Sequence, residues 1–235
     1  MQDPSHAPPA LNAALIVAAG RGHRFGGTIP KQYRQLAGAA VLRYTLNTFL
    51  AHPRVGAVRV VIHPDDAPLF AEAAAGLDIA APVAGGATRQ DSVRRGLEAL
   101  APLAPAKVLI HDAVRPFVAA ATIDAVLDQL DRTPGAIAAL PVVDTLKRGA
   151  GGLVVTTVDR GDLWRAQTPQ GFRFPALLIA HRDAAGLELT DDAQLAERAG
   201  LAVALVMGSE AAFKITTEPD LDRAEQILHA MARRS

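Results

Sequence analysis

Short apolar runs alternate with amphipathic segments along the chain from Ala13 onward. Five runs have the length of strands and are mostly apolar throughout: residues 14–17 (ALIV), 58–62 (VRVVI), 108–110 (VLI), 136–140 (AIAAL) and 203–206 (VALV). Such runs are expected when helices cover both faces of a mostly parallel sheet. The pattern therefore predicts an α/β, Rossmann-like fold built from βα units.

Between these runs, apolar residues recur at helical spacing. Leu42, Leu46 and Phe49 form one stripe, and residues 123, 126, 127 and 130 form another. A helix with one apolar face packs that face on the core. These side chains are therefore interpreted as packing residues rather than site residues.

Two threonines are each followed, three residues later, by an aspartate: Thr88 by Asp91 and Thr217 by Asp220. A threonine can cap the first turn of a helix, and an acidic residue in that turn is favourable against the helix dipole. We expect helices to begin after Thr88 and Thr217, the second running to about Arg233.

Residues 144–160 (DTLKRGAGGLVVTTVDR) interrupt the alternation. Two β-prone stretches flank turn glycines, which predicts a projecting hairpin arm. A lone hairpin has too little core to be stable, so the arm is expected to pack on another surface, such as a second subunit. The sequence shows no internal repeat or linker, which predicts a single domain over residues 13–235 after a disordered lead-in over residues 1–12.

Composition and charge exclude several classes of function. The 24 basic and 24 acidic side chains balance, so the overall field offers little to a nucleic-acid polymer or an anionic membrane. The chain has no cysteine, which excludes disulfides, thiolate metal sites and a cysteine nucleophile. The start has no charged segment followed by an apolar one, and no run approaches the length of a membrane span, so a cytoplasmic location is expected.

The loop after the first predicted strand, residues 18–31 (AAGRGHRFGGTIPK), combines glycines with Arg21, Arg24 and Lys31. Glycines let backbone N–H groups approach an anion closely, and the three cations bring mobile positive charge to the same loop. The combination suits a polyphosphate. A plain tight turn with solvated arginines is the alternative interpretation.

Neither of two common phosphate loops fits this stretch. A Walker A loop ends in Gly-Lys-Ser/Thr, whereas the lysine here lies in Pro30-Lys-Gln. The Rossmann dinucleotide loop needs a third glycine where this chain has Phe25. The loop instead has the form Ala-Ala-Gly-x-Gly-x-Arg-Phe-Gly, which resembles the nucleotide-binding motif of sugar nucleotidyltransferases.

Six further motifs follow the loop in order. They are residues 85–92 (GGATRQDS), 111–116 (HDAVRP), 141–147 (PVVDTLK), 163–170 (LWRAQTPQ), 190–192 (TDD) and 213–216 (FKIT). Together with the loop they resemble the 2-C-methyl-D-erythritol 4-phosphate cytidylyltransferase family from about Ala13 to the C-terminus. The resemblance implies a fold of the nucleotide-diphospho-sugar transferase type, Mg²⁺ as cofactor, CTP and 2-C-methyl-D-erythritol 4-phosphate as substrates, and a homodimer joined through the arm. It places the chain in the non-mevalonate route to isoprenoid precursors.

The resemblance also implies which residues bind each substrate. The residues expected to bind CTP are Ala18, Ala19, Gly20, Gly86, Ser92, Asp112 and Ala113, with Asp112 also holding Mg²⁺. The residues expected around the reacting α-phosphate are Arg24, Lys31 and Lys214. The residues expected to bind the acceptor are Arg115, Thr145, Arg160, Thr168 and Thr190, with Thr145 and Arg160 completing a partner's site. Fixed cations stabilise the charge that gathers as pyrophosphate leaves, and an acceptor phosphate that is already ionised needs no general base.

Other interpretations of the same residues stay open. An aspartate after a strand is often a turn or cap residue, Lys214 is equally a surface lysine, and Thr190 can be the N-cap of the helix through Ala199. The histidines lack metal spacing, so His23, His63 and His111 are treated as structural or solvated. Two rival functions remain: a cytidylyltransferase for another polyol phosphate such as ribitol 5-phosphate, and a sensor that binds CTP without turning it over.

Overall fold

The computed structural model describes residues 10–21, 29–187 and 189–233, so the predictions for residues 1–9, His23 and Arg24 lie outside the described residues. The strands are β1 (Asn12–Ala18), β2 (Gln35–Leu36), β3 (Ala39–Ala40), β4 (Ala57–Ile62), β5 (Val83–Ala84), β6 (Lys107–Asp112), β7 (Gly135–Pro141), β8 (Leu146–Ala150), β9 (Leu153–Val158), β10 (Trp164–Arg173) and β11 (Val203–Met207). The helices are α1 (Val41–Leu50), α2 (Ala67–Ala73), α3 (Arg89–Leu100), α4 (Ala120–Gln129), α5 (Phe174–Asp183), α6 (Asp192–Arg198) and α7 (Glu218–Ala232). Each of the five predicted strands is present, and β1 begins one residue before the predicted start of the domain.

A seven-stranded sheet with the order β11-β7-β10-β6-β1-β4-β5 forms the centre of the fold. Its neighbours pair in parallel except at β10, which is antiparallel to both β6 and β7. The β1–β6 register sets Val17 opposite Asp112. Because the carboxyl ends of parallel strands meet at one edge of a sheet, the loops after β1 and β6 leave the sheet side by side.

The apolar pattern did not predict strand β10, nor the two-residue strands β2, β3 and β5. Of these, β10 matters most for the site. Its buried stretch includes the polar side chains of Gln167, Thr168 and Gln170, and its pairing with β7 shifts register between Ala166 and Gln170. A polar segment that contains a proline and a β-bulge does not have the apolar signal of a central strand. The consequence for the site is that β10 lies directly beside β6.

Helices cover both faces of the sheet, as predicted. Alternate residues of β1 belong to different buried clusters: Ile16 packs with residues of α1 and α4, and Leu15 packs with residues of α3 and α5. Helix α3 lies very close to the sheet, since a Cβ atom added at Gly96 would be 2.5 Å from Leu15 Cδ1. Glycine at that position allows the close approach that brings the start of α3 to the ends of β1 and β6.

The predicted helix starts are confirmed at α3 and α7. Thr88 Oγ1 accepts a hydrogen bond from the Asp91 backbone N–H at 3.0 Å, and Thr217 and Asp220 form a capping box at α7. The N-cap interpretation of Thr190 is wrong. The cap of α6 is the next residue, Asp191, whose Oδ1 accepts from the Gln194 N–H at 2.9 Å.

The predicted arm is a hairpin of β8 and β9. Its turn contains Gly151 and Gly152, both with positive φ, a conformation that glycine adopts without strain. The apolar side chains of Leu153, Val154 and Val155 on the arm are 76%, 67% and 61% exposed. The hairpin thus presents a row of apolar side chains to its surroundings.

Candidate functional site

A cavity of about 400 Å³ lies where the carboxyl ends of β1 and β6 meet the start of α3. It brings together all seven residues expected to bind the nucleotide, with two of the three expected around the α-phosphate. These lining residues are Ala18, Ala19, Gly20, Gly86, Ser92, Asp112, Ala113, Lys31 and Lys214. Segments from distant parts of the chain therefore converge on one cavity.

The loop after β5 is shaped by a network around Ser92. The Gly86 N–H donates to Ser92 Oγ at 3.1 Å, and that hydroxyl donates to the Thr88 carbonyl at 2.9 Å. Close packing leaves no room for a side chain at Gly85, where an added Cβ would lie 2.7 Å from Ala19 Cβ. The loop is therefore packed tightly against the end of β1.

Gln32 holds the first turn of the loop after β1, a role that the sequence analysis missed. Its side chain is buried, and its Nε2 donates to the carbonyls of Ala18 and Gly20 at 2.7 and 3.2 Å. The amide thereby satisfies two carbonyl groups of the nucleotide loop. The signal was present in the Pro30-Lys-Gln motif, in which only the lysine was given a role.

Arg21 is anchored rather than mobile, which corrects the expectation for this side chain. Its guanidinium pairs with Asp66 at 2.9 Å and with Asp65 at 2.8 Å. Asp66 is buried, so the arginine neutralises a carboxylate that would otherwise be costly to keep ionised. Arg21 lines the cavity, yet much of its charge is balanced by its own partners.

Asp112 stands at the centre of the charged groups. Its Oδ2 lies 2.9 Å from Lys214 Nζ and 3.5 Å from Arg115 Nε. Burial alone would raise the pKa of Asp112, but Lys214, Arg89 and Arg115 together hold it well below its usual range. The carboxylate is therefore ionised throughout the neutral range.

His111 connects the Asp112 strand to β10 and to the following turn. Its Nδ1 lies 3.0 Å from Thr168 Oγ1, and its Nε2 lies 3.1 Å from the Arg115 carbonyl. Burial lowers the pKa of His111 to about 4, so the ring is neutral at pH 7. Because Thr168 Oγ1 accepts from the Asp112 N–H, its own hydrogen goes to Nδ1, and the Nε2 proton goes to the Arg115 carbonyl.

A second cavity, of about 240 Å³, adjoins the first. Three of the five residues expected to bind the acceptor line it: Arg115, Thr168 and Thr190. Arg89, Asp112 and Lys214 line both cavities. A molecule in the second cavity is thus separated from one in the first only by a shared, charged wall.

Thr145 and Arg160 line neither of these cavities. Arg160 is the last residue of the arm, and its guanidinium donates to the Val143 carbonyl. Thr145 precedes β8 at the base of the arm. The acceptor set therefore divides into three residues in the second cavity and two on the arm.

The comparison with known proteins decides the family. The family model described as 2-C-methyl-D-erythritol 4-phosphate cytidylyltransferase matches residues 12–230. This chain belongs to that family. The chain is accordingly a member of an enzyme family of nucleotidyltransferases, and the resemblance drawn from the motifs is confirmed.

Relatives in other organisms agree with this family. The chain is 60% identical over 215 residues to a protein of Paramagnetospirillum magneticum and 61% identical over 216 residues to one of Rhodospirillum rubrum, both named bifunctional enzyme IspD/IspF. Each match covers 92% of this chain and 56% of the relative. The chain thus spans little more than half the length of these two relatives.

Two solved structures titled as members of this family have the same fold as this chain. The 2-C-methyl-D-erythritol 4-phosphate cytidylyltransferase of Thermus thermophilus is 38% identical, with a TM-score of 0.77 over 92% of this chain and 98% of that one. The Francisella tularensis enzyme is 30% identical, with a TM-score of 0.80 over 92% and 99%. The mostly parallel sheet with helices on both faces is therefore the fold of this family.

Two further observations bear on cofactors and membranes. Among the residues that the structure describes, no group of three or more His, Asp and Glu side chains could hold a metal ion by itself. Asp112 offers one ionised carboxylate, which fits Mg²⁺ because this ion commonly uses one or two carboxylates and takes its other ligands from substrate phosphates and water. Across residues 10–21, 29–187 and 189–233, none of the helices has the length and apolar character that crossing a membrane requires.

Proposed function

We propose that this chain transfers CMP from CTP to 2-C-methyl-D-erythritol 4-phosphate, giving the CDP-alcohol and pyrophosphate. Family membership supports the nucleotide and the acceptor. The observation that carries the proposal is the pair of adjoining cavities with a common wall of Arg89, Asp112 and Lys214. That arrangement suits a transfer between two phosphates held side by side. The reaction belongs to the non-mevalonate route, and we place it in the cytoplasm.

The chemistry needs positioning and positive charge. An oxygen of the acceptor phosphate attacks the α-phosphorus of CTP in line, a new P–O bond forms, and the bond to the β-phosphate breaks with release of pyrophosphate. A phosphate monoester is mostly a dianion near pH 7, so no base has to remove a proton. Lys31 and Lys214 line the nucleotide cavity and would stabilise the charge that gathers on the phosphoryl oxygens.

Mg²⁺ is part of this proposal. Asp112 would hold it together with oxygens of the triphosphate, and the low pKa of the Asp112 carboxyl keeps that ligand ionised. When bound, the ion would neutralise charge on the triphosphate. The Lys214 ammonium, 2.9 Å from Oδ2, keeps the carboxylate oriented toward the cavity.

A homodimer through the arm completes the proposal. Leu153, Val154 and Val155 are exposed on the hairpin. Contiguous exposed apolar surface marks sites of protein–protein contact, where it becomes buried on association. Thr145 and Arg160 lie on or beside the arm and away from the second cavity. We therefore assign them to the acceptor site of the partner.

The assay measures the pyrophosphate released from CTP in the presence of Mg²⁺ and either 2-C-methyl-D-erythritol 4-phosphate or ribitol 5-phosphate. The proposal predicts release with 2-C-methyl-D-erythritol 4-phosphate and little with ribitol 5-phosphate. Release with ribitol 5-phosphate but not with 2-C-methyl-D-erythritol 4-phosphate would identify ribitol 5-phosphate as the acceptor instead. Binding of CTP without release under any condition would support the sensor instead.

A further inference from the structure

Arg89 is the cation that the sequence analysis did not assign. It is the first residue of α3 and lines both cavities. Its Nη2 lies 2.8 Å from Asp192 Oδ2, and its side chain is 29% exposed while that of Asp192 is 1% exposed. The guanidinium therefore lies at the wall between the two cavities and is paired with a buried carboxylate.

Asp192 is held firmly at the start of α6. Its Oδ1 lies 3.1 Å from Nε2 of the buried His181, and its backbone N–H donates to Gln170 Oε1 at 3.1 Å. The Gln170 amide in turn donates to Asp191 Oδ2 at 2.8 Å. Burial raises the pKa of Asp192, but Arg89 and His181 outweigh it and keep the carboxylate ionised. Asp192 thus fixes where the Arg89 side chain can lie.

The shape of a guanidinium allows Arg89 to serve two partners at once. It has five N–H donors in a planar fork, and the contact to Asp192 uses Nη2. The donors on the other edge can bond phosphate oxygens in the bidentate manner typical of arginine. A lysine ammonium cannot divide its bonds in the same fixed geometry.

The place of Arg89 matters because two anions must meet there. In-line attack brings the acceptor phosphate against the α-phosphate of CTP, and the residues common to both cavities are Arg89, Asp112 and Lys214. Lys214 is already paired with Asp112 at 2.9 Å. A second cation at this junction would offset the repulsion between the two phosphates.

We propose that Arg89 is a further substrate-binding residue, whose guanidinium contacts phosphate oxygens at the junction of the two cavities, and that Asp192 is its positioning residue. This inference rests on the proposed function, because it needs a phosphate in each cavity. Arg89 lines both cavities. Lys31, by contrast, lines only the nucleotide cavity, and Arg115 lines only the acceptor cavity.

The test compares Arg89→Lys, Arg89→Gln and Asp192→Asn with wild type in the full chain. Arg182→Gln, on the surface of α5 with its side chain 55% exposed, is the control for loss of an arginine. The readouts are kcat, KM for each substrate and the melting temperature. We expect Arg89→Gln to lower kcat/KM about a hundredfold, as for loss of a preorganised contact to a reacting oxygen. Arg89→Lys should lose at least about tenfold with its melting temperature unchanged, and the control should match wild type.

The relation between the variants separates substrate contact from a structural ion pair. If Arg89 binds phosphate, Asp192→Asn retains the cation and loses much less activity than Arg89→Gln. Equal losses of activity and melting temperature in Arg89→Gln and Asp192→Asn, or wild-type kinetics in Arg89→Lys, would overturn the inference. If wild type itself releases no pyrophosphate, the proposed function fails first. Calorimetric titration with CTP and Mg²⁺ then decides for Arg89, because unchanged affinity in Arg89→Gln would overturn its role as well.

Discussion

Lys214 Nζ lies 2.9 Å from Asp112 Oδ2, at the wall that the two cavities share. The two residues come from opposite halves of the chain, Asp112 from the end of β6 and Lys214 from the loop before α7. The ammonium helps to keep the buried carboxylate ionised, and the carboxylate holds the ammonium at the wall between the two cavities. Most of the expected behaviour of variants follows from this pair.

Lys214→Met is expected to lower kcat strongly. It removes one fixed cation from the α-phosphate, a loss of about 3 kcal/mol of transition-state stabilisation or roughly a hundredfold in rate. Steady-state release of pyrophosphate measures it. Lys107→Met, at the start of β6 and paired with Asp131 away from both cavities, is the control, and equal kcat in the two variants would contradict the role given to Lys214.

Asp112→Asn should weaken the apparent affinity for Mg²⁺. The amide is nearly the same size as the carboxylate but carries no charge, so the ion loses its protein ligand and its apparent affinity falls. Initial rates measured across a Mg²⁺ titration report this shift. Asp128→Asn, on the exposed face of α4, serves for comparison. A titration midpoint unchanged from wild type would remove Asp112 from the metal site.

Stability should fall between about pH 6.5 and pH 4 because of His111. Burial lowers its folded pKa to about 4, whereas the unfolded value is about 6.5. The unfolded chain therefore binds more protons in this window, and the contribution of His111 is fully present above it and lost as pH falls. The expected loss is on the order of 3 kcal/mol. Asp112, whose folded pKa is lowered, loses its contribution only at more acidic pH.

Denaturant unfolding of wild type and His111→Gln at several pH values checks this assignment. The glutamine does not titrate, so its unfolding free energy should change less between about pH 6.5 and pH 4 than that of wild type. Parallel pH profiles for the two proteins would show that another group is responsible for the slope.

Mixing two inactive variants should restore activity if the arm serves the partner subunit. An Arg160→Gln chain keeps Lys214, and a Lys214→Met chain keeps Arg160. A mixed dimer then contains one complete site and one doubly defective site. With random pairing, half of the dimers are mixed, and the mixture should show about a quarter of wild-type activity.

The control for this mixing experiment is each variant alone at the same total concentration. Recovery should require subunit exchange, for instance after brief dilution or unfolding. Activity that stays at the level of the separate variants would mean that Arg160 acts within its own chain or not at all.

The sequence predicted the parts of the fold that have strong local signals. The five apolar runs became β1, β4, β6, β7 and β11, and Thr88 and Thr217 mark helix starts as expected. Strand β10 gave no such signal, because its buried residues include Gln167, Thr168 and Gln170. Its place depends on pairing with β6 and β7, which local sequence does not encode.

The site divides in the same way. Motif order was enough to select residues that line the nucleotide cavity, including Asp112 and Lys214. Arg89 was missed because its function depends on Asp192, which α6 brings into contact from far along the chain. Gln32 was missed because phosphate-binding residues were selected by their charge, and the amide next to Lys31 is neutral.

The most direct test of the proposed transfer is a crystal structure of the dimer with CTP, Mg²⁺ and a non-reacting acceptor analogue. We expect the cytosine beside Gly86, the α-phosphorus next to Lys214 and Arg89, and the acceptor phosphate in the second cavity, within reach of in-line attack. An acceptor bound elsewhere, or an α-phosphate remote from Lys31 and Lys214, would contradict the proposed transfer.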